Sequence, residues 1–122
     1  MEMKLELVPV PVSDVDRAKS FYVDQAGFVA EHDHQFSDEI RFVQLTPPGS
    51  ACSIVIGDGI TKTPPGSSEG MLLVVEDIEA VRGELVERGV EVSEAQTMGW
   101  GAIHASFHDP DGNRWELQQP AR

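Results

Sequence analysis

Two pentapeptides, Val12-Ser13-Asp14-Val15-Asp16 and Val75-Glu76-Asp77-Ile78-Glu79, stand 63 residues apart in a chain of 122. Each joins the end of an apolar, β-branched run to the acidic start of a helical pattern. The chain therefore reads as one unit written twice. Gly27 and Gly89 fall at equivalent helix ends, one residue out of step. Half a chain of this length cannot bury a sheet alone, so the halves must pack together. The expected architecture is α+β: two tandem βαβββ modules, about 1–60 and 70–122, in a single domain. Their strands should form a curved mixed sheet enclosing a cleft.

The local signals fill in that frame. Val8, Val10 and Val12 alternate as in a strand over residues 5–12, with Pro9 and Pro11 on the other parity. Ser13 is the expected helix N-cap, followed by acids in the first turn. Val15, Ala18, Phe21 and Tyr22 then share a helical face, and Gly27 ends the helix. Further strands are expected from Phe28, over 40–46 and over 51–56. Residues 61–70 are turn-rich and form a loop. The second half offers a strand over 71–75, a helix over 76–88 and a short strand over 90–92. Two more strands, 102–108 and 114–118, flank the turn Asp109-Pro110-Asp111-Gly112-Asn113.

Charge narrows the partners. Lys and Arg number 9 against 21 Asp and Glu, a net charge of −12. Such a surface repels phosphate backbones and anionic membranes, so neither nucleic acid nor membrane is expected as a partner. It suits a cationic small molecule, although solubility alone explains it more simply. No apolar run approaches the roughly 20 residues of a membrane span. Residues 1–6 alternate in character and carry acids, unlike a secretory leader. The lone Cys52 forms no internal disulfide, which favours the cytoplasm. In an apolar strand it is a poor nucleophile. No phosphate loop, zinc cysteine pair or nucleophile elbow is present.

Three stretches together resemble the vicinal-oxygen-chelate superfamily, the glyoxalase, bleomycin-resistance and dioxygenase group. They are residues 12–22 with Gly27-Phe28, residues 75–79 with Gly89-Val90, and residues 107–117 with the Asp-Pro-Asp-Gly-Asn turn. The resemblance implies the glyoxalase-like fold and a homodimer, with clefts in the curved sheets or between subunits. It also implies four inward positions that hold a divalent ion in the metal-dependent members. Here those positions read as Leu7, a residue near Ser53 to Ile56, Gly70 or Met71, and Glu116. One carboxylate does not hold a catalytic ion, since three protein ligands are the usual minimum. No metal and no cofactor are therefore expected. A site rebuilt from His32, His34, His104 or His108 with Glu31, Asp33 or Glu116 is the alternative, against simple exposure of those side chains.

The expected ligand-lining residues are Phe42, Gln44, Trp100, His104 and Glu116. Phe42, Gln44 and Thr46 share a strand face of mixed character. Trp100, between glycines, is either a lid over a ligand or a plug at the end of the sheet. His104 faces the cleft if Ala105 and Phe107 face the helices. The leading expectation is a small-molecule binder for an aromatic or cationic guest, without the usual metal site. The alternative is a metal-dependent lyase or isomerase with Glu116 or His104 as base, and behind it a dioxygenase. A third reading has the cleft filled by side chains such as Leu7 and Met71.

Overall fold

Asp14 and Asp77 start the two helices. Each sits in extended backbone, at φ −134°, and each side chain accepts the N–H three residues on, Arg17 and Ala80 respectively. Ser13, the expected cap, does another job: its hydroxyl donates to Asp111 at 2.5 Å. A carboxylate at the cap satisfies a free N–H and also meets the positive end of the helix dipole, which a hydroxyl does not.

The computed structural model describes residues 1–122. In chain order the elements are β1 (Leu7–Pro9), α1 (Val15–Ser20), β2 (Val29–Gln35), β3 (Arg41–Thr46), β4 (Ser53–Asp58), β5 (Met71–Val74), α2 (Ile78–Glu87), β6 (Gln96–Thr97), β7 (Ile103–His108) and β8 (Arg114–Gln119). This is βαβββ twice, as the repeat required. Each module forms its own four-stranded mixed sheet, ordered β1-β4-β3-β2 and β5-β8-β7-β6. In both, the first strand runs parallel to the last while the hairpin pairs run antiparallel. No helix is long and apolar enough to cross a membrane.

Two boundaries differ from the sequence reading. β1 is three residues long, because Pro9 and Pro11 have no N–H for the ladder; Val10 still donates to Val55 O at 2.9 Å. The short strand expected at 90–92 is absent, and β6 starts at Gln96. There the Ser93 hydroxyl takes the Ser106 N–H at 2.8 Å, so a side chain replaces a backbone carbonyl at the sheet edge. Val90 instead packs into the core.

The one-residue mismatch between Gly27 and Gly89 has a structural cause. After Ser20 the first helix widens into a π-turn over Phe21–Gln25. Phe28 N–H closes on Tyr22 O, six residues back, whereas Val90 N–H closes on Leu85 O, five back. The extra residue of module one is absorbed as a π-bulge, the usual form of π-helix. Both helix ends then turn through a glycine of positive φ, Gly27 at 79° and Gly89 at 90°.

The core draws on both modules. Tyr22, Phe28, Val43 and Leu45 meet Phe107, Trp115 and Leu117 in one buried cluster. Phe107 and Trp115 stack at 6.1 Å. Strand alternation fixes the rest. With Val43, Leu45, Ala105, Phe107, Trp115 and Leu117 turned to the core, the opposite parity of each sheet faces away from it; on the second sheet it reaches the surface at Leu72 and Val74, while on the first Gln44, Thr46, Ser53 and Val55 are still buried.

Candidate functional site

The outward face of module two carries three of the five expected residues. Register places Leu72, Glu116 and Ser106 in one row, and Val74, Gln118, His104 and Gln96 in the next. His104 Nε2 lies 2.7 Å from Gln118 Oε1, and Nδ1 lies 3.7 Å from Glu116 Oε2. Arg114 pairs with the other Glu116 oxygen at 2.6 Å. Trp100 stands edge-on to the His104 ring, centroids 5.8 Å apart. It is 66% exposed, so it does not plug the core. Gly101 beside it has φ 96°, which lets the chain fold the ring back over β7. Leu72 and Val74 are also exposed. The result is an aromatic ring and two aliphatic side chains around a polar stripe that ends in a carboxylate.

Phe42 and Gln44 lie on the face of the other sheet turned away from the core. Phe42 is paired with His34 and Gly57, and Gln44 with His32 and Val55. The Gln44 amide donates to the Ser53 hydroxyl at 3.1 Å, and Thr46 Oγ1 meets the same hydroxyl at 2.7 Å. Phe42 and Gln44 share no hydrogen bond or ring contact with Trp100, His104 or Glu116; the two groups sit on separate sheets.

Donors for a divalent ion do not converge within the chain. The residue opposite Glu116 is Leu72; Gly70, two residues earlier, brings no side-chain donor, and Met71 pairs with Trp115 and packs toward the core. Leu7 faces Ser53. No three His, Cys, Asp or Glu side chains come together as a ligand set. On β2, His32 and His34 stack on each other at 5.8 Å. Asp33 between them is bound by Arg41 at 2.9 Å and Lys19 at 2.8 Å. Hydrogen bonds from Arg41, then Lys19, hold its carboxyl well below the usual carboxylate range.

Sequence reasoning missed a buried polar knot beneath the sheets. The Asp109 carboxylate accepts from Tyr22 OH at 2.7 Å, Asn113 Nδ2 at 2.8 Å, and the N–H groups of Asn113 and Asp111 at 2.9 and 3.0 Å. Asn113 Nδ2 also donates to Pro11 O, and Trp115 Nε1 donates to Tyr22 OH. Burial, reinforced by the Asp109 charge, pushes the Tyr22 hydroxyl far above its ordinary value. The available signal was Asp and Asn bracketing a Pro-x-Gly turn, which announces the turn but not its distant partners. A cavity of about 340 Å³ also lies between the modules; it touches none of the five expected residues.

Two tandem βαβββ modules, each a four-stranded mixed sheet with one helix, define a glyoxalase-like α+β fold. The chain belongs to the Glyoxalase/Bleomycin resistance protein/Dioxygenase superfamily, whose model matches residues 4–117. It is similar to TnmS3, an antibiotic binding protein from Streptomyces sp. CB03234, at 39% identity and TM-score 0.88 over 98% of each chain. It is also similar to a member of the same superfamily from Sphaerobacter thermophilus DSM 20745, at 32% identity and TM-score 0.87 over 98% of each chain. An uncharacterized protein, YetH of Bacillus subtilis (strain 168), is 28% identical over 121 residues, covering 98% of this chain and all of YetH.

Proposed function

We propose that this protein binds a small aromatic or cationic organic molecule on the Trp100 face, without a metal, as a cytoplasmic homodimer. The carrying observation is the exposed Trp100 ring standing on His104 beside Glu116. An exposed indole offers stacking area to an aromatic or cationic guest, and Glu116, held by Arg114 through one oxygen, has its other oxygen to offer the guest's donors. The similarity to an antibiotic binding protein supports the reading. A second copy would set its Phe42 and Gln44 face opposite Trp100 and enclose the ligand, as pockets that bury most of a ligand require.

Proflavine, an aromatic cation, is a suitable probe. Calorimetric titration of chelator-treated protein should give saturable binding. Trp100→Ala should weaken it about tenfold or more, as truncation of a central aromatic anchor does. Glu116→Gln should weaken proflavine more than an uncharged polycycle of the same size. Equal affinity for the wild-type, W100A and E116Q proteins would reject the site. The 3.7 Å approach of His104 to Glu116 is the one observation that favours an enzyme instead, with either group moving a proton.

A further inference from the structure

The 63-residue offset can be followed side chain by side chain, and it shows where the two halves stop being alike. Asp14 and Asp77 cap the helices in the same geometry. Gly49 and Gly112 hold the same place in the β3–β4 and β7–β8 turns, with φ 79° and 95°. Gln25 and Arg88 correspond and reach into each other's module: Gln25 Nε2 donates to Arg88 O at 3.3 Å, and Arg88 Nη1 to Asp24 O at 3.4 Å. Each module's turn thus packs against the other module's helix across two related seams.

At the first seam a phenol ring takes the centre, beside an open hollow of about 550 Å³ walled by Phe21, Val90 and Pro110. Tyr22, in the π-turn after α1, donates to Asp109 of the β7–β8 turn, Asn113 donates to the same carboxylate, Trp115 donates to the Tyr22 hydroxyl, and all four are buried. At the second seam the offset puts Leu85 in place of Tyr22, Thr46 and Ser50 in place of Asp109 and Asn113, and Cys52 in place of Trp115. Leu85, Ser50 and Cys52 are each smaller than their counterparts, and Thr46 brings no charge. The polar ones also turn away, Thr46 to Ser53 and Ser50 to Cys52 O. What remains is the cavity of about 340 Å³, walled by Phe28, Leu73, Leu85, Phe107 and Leu117 under Pro47 and Pro48. Arg88 and Glu84 stand at its rim and pair at 3.3 Å.

We propose that this seam is a second ligand site, for an uncharged aromatic molecule of phenol size with its oxygen turned to Arg88. The size follows from the first seam, where the buried Tyr22 phenol ring occupies the place that Leu85 leaves short at the second. The volume lies within the roughly 300–1,000 Å³ of small-ligand pockets, and apolar walls with a few polar groups at one side are their usual make-up. The rim ion pair leaves no net charge to select an ion, while Arg88 keeps donors free for a hydroxyl or carbonyl oxygen. The cavity touches neither Trp100, His104 nor Glu116 and meets that face only through Val74, so either site can fail without the other.

The test uses 4-methylphenol as the probe, titrated into the nitrogen-15-labelled full chain and followed by amide shifts. Saturable shifts should centre on Gly27, Val81, Leu85 and Arg88. Val81→Phe, which fills the cavity, should abolish them while proflavine binding at Trp100 persists. Arg88→Gln should weaken 4-methylphenol several-fold and leave toluene unchanged. If V81F does not fold, nuclear Overhauser contacts from the probe methyl to Leu85 and Phe107 in the wild type decide the same point. No saturable shift, shifts confined to residues 98–106, or undiminished binding in a folded V81F would each overturn the proposal.

Discussion

At the scale of single residues, Asp109 concentrates the most risk. A buried carboxylate is tolerable only when its lone pairs are met, and here four donors meet them. Tyr22→Phe removes one of these and orphans the Trp115 indole N–H. The expected cost is about 1–3 kcal/mol by chemical denaturation, the usual range for a buried polar group left unpaired. Tyr22 is the sole tyrosine, so absorbance of the tyrosinate near 295 nm reports it alone. With its native pKa raised by burial and Asp109, the native state holds the proton more tightly than the unfolded chain. Its contribution is therefore complete below the unfolded pKa of about 10 and falls as pH rises beyond it. Tyrosinate should appear only with global unfolding, and Y22F should flatten the alkaline stability limb; early, reversible ionisation in folded protein would contradict this. Asp33 has the opposite sign. Its depressed pKa stabilises the fold above the unfolded carboxylate value and is lost as pH falls toward the native one. Carbon-13 spectra should show Asp33 still ionised where ordinary aspartates are half protonated, and Arg41→Ala should raise its midpoint.

Side-chain facing was legible for residues 42, 44, 104 and 116, because a strand alternates and the apolar parity marks the core. It left Gly70 and Met71 open at the start of β5, where a one-residue step turns the side chain from the Glu116 face to the core, and the register turns Met71 to the core. It was also silent on Asn113 and Tyr22, whose meeting spans most of the chain and leaves no local trace.

At the scale of elements, the helix starts carry the repeat. Asp14→Ala and Asp77→Ala should each cost about 0.5–2 kcal/mol, since each strips an N–H partner and a dipole charge. Ser13→Ala should act differently, through the lost Asp111 contact that ties α1 to the β7–β8 turn. If S13A and D14A both raised helix fraying equally, with no loosening of that turn in hydrogen exchange, the cap assignment would be wrong. The order of elements was readable because the pentapeptides and glycines punctuate both halves. The single-residue mismatch was visible as well, but a sequence has no marker for a π-bulge. Nor could it show that Ser93 would finish the sheet edge and delay β6.

At the scale of the whole molecule, two seams of unlike filling, and the sheet faces turned away from the core, set what the chain can do. The repeat foretold two modules that need each other; it did not foretell that Phe42 and Gln44 would stand on a different sheet from Trp100, His104 and Glu116. That separation makes a second copy the natural completion of the cleft, and light scattering should give a dimer mass. Mutating Leu72 and Val74, exposed beside the site, to Lys should shift it toward monomer and weaken proflavine binding together.

The central claim is metal-independent binding at Trp100, and one titration tests it most directly. Metal-stripped protein is titrated with proflavine by calorimetry, alone and after loading with zinc, nickel, manganese or ferrous iron, beside W100A. Saturable binding that is unchanged by every ion and lost in W100A is the expected result. Binding that appears only with about one ion held per chain, and disappears with the ion in Glu116→Ala, would contradict the account and make the protein a metal-dependent member of its superfamily.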